Sequence, residues 1–71
     1  MTEGYAILQW RWNDIFKEYY QDCDFYYDYK EADDIMNGFE VTDDIPCIEL
    51  FTATMDKYGQ YKLDDLIRVI D

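Results

Sequence analysis

Apolar residues recur along the first third of this 71-residue chain at the spacing of one helical face. Tyr5, Leu8, Trp12, Ile15 and Tyr19 follow one another by three, four, three and four positions. Asp14, Glu18 and Asp22 fall on the other side, so the pattern predicts an amphipathic helix. Trp10 is the exception, because on that helix it points away from the apolar face. With a period of two, Leu8, Trp10 and Trp12 share one side and Gln9 and Arg11 the other. A strand from Tyr5 to Trp12, followed by a helix capped by Asn13, is therefore the alternative.

The second stretch reads as a helix over 24–36. At about 100° per residue, Phe25, Tyr29, Ala32 and Met36 share a narrow sector. The opposite sector holds Asp24, Asp28, Glu31 and Asp34, with Tyr27 and Ile35 beside them. Asn37-Gly38 closes this helix, since glycine readily takes the left-handed conformation found at helix ends. A third helix opens at Asp43-Asp44-Ile45-Pro46 and ends at Lys57-Tyr58-Gly59, with Ile48, Phe51, Met55 and Tyr58 on one face. Its competitor takes Leu50 to Met55 and Gln60 to Leu63 as strands around an Asp56–Gly59 turn, a reading that Thr52 and Thr54 favour. Leu63, Leu66, Ile67 and Ile70 give a short C-terminal helix with Asp64 and Asp65 in its first turn.

These elements predict an all-α fold, a small bundle of three to four helices. The alternative is an α+β fold with a short antiparallel sheet from residues 5–12, 48–55 and 60–63. Residues 1–71 form one domain, in the size range where a single core gives marginal stability. A content of 49% hydrophobic and 20% aromatic residues predicts a compact fold, not a disordered acidic tail. The N-terminus has no basic leader or apolar run, and no stretch is long enough to span a bilayer. The chain reads as soluble and cytoplasmic, with Cys23 and Cys47 as reduced thiols.

Charge changes the picture more than composition does. Of seventeen acids, nine lie in the segment 22–44: Asp22, Asp24, Asp28, Glu31, Asp33, Asp34, Glu40, Asp43 and Asp44. Lys30 is the one basic residue among them, so this window carries −8 of the chain's −11. Such concentration repels itself and calls for an explanation in solubility or in a basic partner. Anionic membranes would repel it, so no membrane role is expected.

Candidate chemistry is sparse. Without histidine the commonest general base and metal ligand is missing. Neither cysteine has a basic neighbour to activate it, and three isolated glycines build no phosphate loop. The chain therefore reads as a non-enzyme without cofactor. Residues Thr54 to Asp65 resemble an EF-hand loop, with Gly59 on the sixth position, Asp56 on the third and Asp65 on the twelfth. Thr54 and Tyr58 stand where ligands are required, however, and Gly59 is read as a turn or cap, with no metal.

The row Asp24, Asp28, Glu31 and Asp34 sets like charges one helical turn apart, which is poor design for a surface that only needs solubility. Carboxylates at about 5 to 6 Å can stand in for successive phosphates in a cationic groove, and the interleaved aromatics suit stacking by arginine. In size, charge and this stripe the chain resembles the small acidic phage-encoded proteins that mimic nucleic acid, among them anti-restriction and anti-CRISPR inhibitors. The resemblance implies a stoichiometric inhibitor whose partner is a basic nucleic-acid-binding protein, with no direct binding of nucleic acid. The phosphate surrogates would be Asp24, Asp28, Glu31 and Asp34. Asp22, Asp33, Glu40, Asp43 and Asp44 would extend the field, and Tyr27 and Ile35 supply local fit. The alternative is a small interaction module that uses Trp10 and neighbouring aromatics without mimicry.

Overall fold

Four antiparallel strands and one helix make up the chain in the computed structural model, which describes residues 1–71. The strands are β1 (Thr2–Asn13), β2 (Glu18–Tyr26), β3 (Cys47–Met55) and β4 (Tyr61–Ile70). The helix α1 (Tyr29–Gly38) lies between β2 and β3. Sheet order is β2-β1-β3-β4, so two hairpins join along a central β1–β3 seam. This overturns the all-α bundle and fits the α+β alternative.

The N-terminal helical reading failed because β1 is apolar on both faces. Tyr5 and Ile7 point to the helix side, while Gly4, Ala6, Leu8, Trp10 and Trp12 point to the other. From a strand buried on both sides one can always pick residues spaced by three and four, and Trp10 was the honest witness. Residues 47–55 and 61–70 likewise form strands, not helices. Thr52, Thr54 and the Asp56–Gly59 turn were the correct signals there.

Both turns are held by side chains. Asn13 Oδ1 accepts the N–H groups of Ile15 (2.9 Å) and Phe16 (3.1 Å), so it caps a hairpin turn, not a helix. In the second turn Asp56 Oδ1 accepts from the N–H groups of Tyr58 (2.8 Å) and Gln60 (3.1 Å), and Gly59 takes φ +81°. The segment Thr54 to Asp65 is thus a β-hairpin without the two flanking helices of an EF-hand.

Helix α1 covers one face of the sheet. Ala32 and Met36 are fully buried against Ile7, Ile48 and Leu50, with Tyr5, Tyr26, Ile35, Phe39, Ile45 and Ile70 around them. Arg68 of β4 donates to Asp33 Oδ1 (3.2 Å) and to Asn37 Oδ1 (2.8 Å), tying the helix to the far strand. The helix ends at Gly38 as predicted, but by extension of Phe39 and not by a left-handed glycine.

The opposite face has no helix, and the sheet closes it by coiling. Gly4, Ala6 and Ala53 are buried and small, and Phe25 lies across Gly4 so closely that a Cβ there would strike its ring and come within 2.6 Å of the Tyr26 carbonyl. Phe25 packs on Tyr61 with ring centroids 5.3 Å apart, although β2 and β4 are the two edges of the sheet. Tyr61 donates its hydroxyl to the Cys23 carbonyl at 3.0 Å. The Trp12 N–H donates to the Asp44 carbonyl, away from β2. By alternation Leu8 also points away from β2, which directs the carbonyl of its partner Cys23 outward. Tyr61 therefore caps the outer edge of β2.

Candidate functional site: an acidic face

The acidic stripe does not exist as a helical row. Asp24 lies on β2, Asp28 is the N-cap residue of α1, and only Glu31 and Asp34 of the four are helical. Phe25 faces the concave side of the sheet, and Tyr29 is 44% exposed and packs edge-on against Tyr5. Helix and strand share the acidic window because tyrosines and phenylalanine at 19–27 favour a strand, which the helical spacing concealed.

A different arrangement takes the stripe's place. Tyr20, Asp22, Asp24 and Tyr26 share the helix side of β2, since Tyr26 packs in the core there and strand residues alternate. Asp22 and Asp24 are thus about 7 Å apart along the strand. Glu31 stands in the first turn of α1. Burial raises the Tyr26 phenol above its usual range, and the charges of Asp24, Glu31 and Asp22, in that order, raise it further. Tyr26 thus feels negative charge from both β2 and α1. None of the three is ion-paired.

The remaining sequence-predicted residues divide. Asp28, at the N-cap, and Asp34, within α1, are exposed, and Lys30 Nζ pairs with Asp34 at 3.5 Å. Asp28 and Glu31 also sit where a helix N-terminus favours negative charge, a structural reason for two of the acids. Asp33 is turned to the β4 side and is engaged by Arg68. Asp43 and Asp44 occupy a tight turn closed by reciprocal main-chain bonds between Thr42 and Ile45, and both are exposed, as is Glu40. Ile35 packs half-buried against the core and also lines a shallow recess with Asp28, Lys30, Glu31 and Asp34. Tyr27 stands apart from the cluster, its hydroxyl 3.9 Å from Met55 Sδ.

Sequence reasoning missed a second acidic concavity. A cleft of about 550 Å³ is lined by Glu3, Tyr5, Tyr27, Thr52, Asp64 and Asp65 among others. Within it Thr54 donates to Asp64 (2.7 Å), and the Asp65 N–H donates to Thr52 Oγ1 (2.9 Å). The signal was the Asp64-Asp65 pair opposite Thr52 and Thr54, readable only once β3 and β4 are paired. No group of three or more potential ligands gathers into a metal site. No helix is long and apolar enough to cross a membrane.

Trp10 is half-buried, and its indole N–H donates to Glu49 Oε1 at 2.8 Å. With Tyr19, Pro46 and Cys47 it lines an apolar recess of about 240 Å³. The Cys47 thiol is pushed up by burial, then by Glu49 and Asp71, which lowers its thiolate fraction. Fold and site define a small α+β domain with one strongly acidic face. Comparison with known families, curated proteins and solved structures gives no match.

Proposed function

We propose that the chain is a stoichiometric inhibitor that occupies the cationic nucleic-acid-binding site of a partner protein, its carboxylates standing in for phosphates. The observation that carries this reading is the exposure of Asp22 and Asp24 on one face of β2 and of Glu31 in the first turn of α1, which packs on β2, all three without a basic partner. Two carboxylates about 7 Å apart on a strand, with a third from the adjacent helix, form a rigid array at a spacing of the order of that between backbone phosphates. Asp28, Asp34, Asp43 and Asp44 extend the negative field, which speeds encounter with a basic groove. Tyr20, 44% exposed on the same face of β2, offers a ring on which an arginine can stack while pairing with Asp22. The targets that fit are nucleases and other defence or repair enzymes of a host cytoplasm, as for the phage-encoded mimics the sequence resembles.

The test is the triple variant Asp22→Asn, Asp24→Asn, Glu31→Gln. The wild-type chain is expected to capture a basic nucleic-acid-binding protein from host lysate, to be displaced by competing DNA or RNA, and to bind less tightly as salt is added. The variant is expected to lose capture while keeping its fold. Capture at undiminished affinity by the variant refutes the reading.

A further inference from the structure

Two asparagines occur in the chain, and the fold treats them in opposite ways. Asn13 Oδ1 accepts the N–H groups of Ile15 (2.9 Å) and Phe16 (3.1 Å), and the residue after it, Asp14, carries a side chain. Asn37 is followed by Gly38 at the end of α1, and both are exposed. A Cβ built on Gly38 would meet nothing within 4 Å, so the main chain there is open to solvent. One contact holds the Asn37 amide: Arg68 Nη1 donates to its Oδ1 at 2.8 Å while also reaching Asp33 Oδ1 at 3.2 Å. An asparagine amide is an electrophile within reach of the next main-chain nitrogen, and glycine, without a Cβ, leaves that approach unhindered.

We infer that Asn37–Gly38 is a self-modification site, at which the amide converts to a carboxylate by intramolecular deamidation, and that Arg68 is its gate. A base in solvent takes the Gly38 N–H proton, and the nitrogen attacks Asn37 Cγ. The Cγ–Nδ2 bond breaks, ammonia leaves with a proton from water, and a five-membered succinimide closes over the 37–38 peptide. Water then opens the ring at either carbonyl, giving an aspartate or an isoaspartate at position 37. Only water is consumed, and each event adds one negative charge to the chain's −11.

The gate follows from helix geometry. Within α1 the Gly38 nitrogen is turned away from Asn37 Cγ and its N–H points back along the axis, so attack waits for the helix end to open. On the helix side that opening is easy. Gly38 is the last helical residue, glycine is a poor helix former, and no basic residue in the last turn holds its carbonyls. Phe39 is already extended, and the core anchors Ala32 and Met36 precede the two residues that must move. What remains is the tie from β4. Arg68 must release the Asn37 oxygen before the side chain can swing onto the Gly38 nitrogen, while Asp33 keeps the guanidinium in place to recapture it. The modification therefore reports release of the helix end from β4, and it does not depend on Asp22 and Asp24 of β2.

The test is mass spectrometry of the chain and its peptides during incubation at neutral and mildly alkaline pH, native and in urea. The expected result is a gain of about 1 Da that maps to position 37 and not to Asn13, quickens with pH, and runs slower in the native chain than in urea. Gly38→Ala, for which the structure has room, should slow the gain by about tenfold or more. Arg68→Gln should quicken it in the native chain by about threefold or more and leave the rate in urea unchanged. Arg68→Lys keeps the charge beside Asp33 but not the fork that bridges both oxygens, so its rate should fall between, and it replaces Arg68→Gln if circular dichroism shows that variant unfolded. A native chain that gains no mass while the urea-unfolded chain does, or a native rate equal to that in urea, overturns the inference. So does a gain at Asn13 as fast as at position 37, or a folded Arg68 variant no faster than wild type.

Discussion

The two faces of the sheet are closed in opposite ways. On the helix side the chain spends ten residues on a separate element, and Met36 and Ala32 fill the space above Ile7, Ile48 and Leu50. On the other side there is no such element, so the edges come to the centre: Phe25 from β2 and Tyr61 from β4 meet above Gly4, Ala6 and Ala53. Large residues at the centre suit a covering helix; small residues at the centre suit a sheet that covers itself. The neighbouring positions 4 to 8 of β1 carry both solutions by alternation.

That contrast can be broken first at the helix. Met36→Ala should cost about 2–5 kcal/mol, read from urea unfolding, because the cavity lies between two rigid layers. Gly4→Ala should cost about 1–3 kcal/mol by displacing Phe25 and pressing on the Tyr26 carbonyl; a neutral result would mean that the coil can open freely. Tyr61→Phe should cost about 0.5–1.5 kcal/mol through the lost bond to Cys23.

The same tyrosines predict the response to alkali. The Tyr61 phenol is raised well above its ordinary value, by burial first, then by contact with Cys23 and the charges of Asp24 and Asp22. Tyr26 is raised as well. A folded-state pKa above the unfolded one gives stability that is whole below about pH 10 and is lost as the pH climbs past it. Thermal melts of the wild type should therefore fall steeply above pH 10, and those of Tyr61→Phe less so. The smallest effect belongs to the acidic face: the Asp22, Asp24, Glu31 triple variant should gain a few tenths of a kcal/mol at low salt and less at high salt.

Much of the fold was present in the residues, but in competition. Trp10, Thr52, Thr54 and the Asp56–Gly59 turn all pointed to strands and were outweighed by three-four spacings, because strands apolar on both faces satisfy either period. Ala32, Met36 and the end of α1 at Gly38 were legible, since that helix has one covered face and a true periodicity. Its start was not: Phe25 packs at the helical spacing from Tyr29 but belongs to the other face of the sheet. The acidic window itself was plain from counting. What could not be read was how the acids divide, since Asp22 and Asp24 lie on β2 and Glu31 on α1, which packs on that strand.

The β1–β3 seam has a consequence for how the chain reaches this state. It joins residues between 37 (Trp10 to Cys47) and 53 (Thr2 to Met55) positions apart, while each hairpin closes through a short turn. Hairpins form in about 1–10 μs, so local pairing within each half is fast compared with closing the centre of the sheet. The long loop between them makes zipping of the seam the slow step. Until then both halves show bare aromatic surface to every other nascent chain. A net charge of −11 opposes association between such half-built molecules.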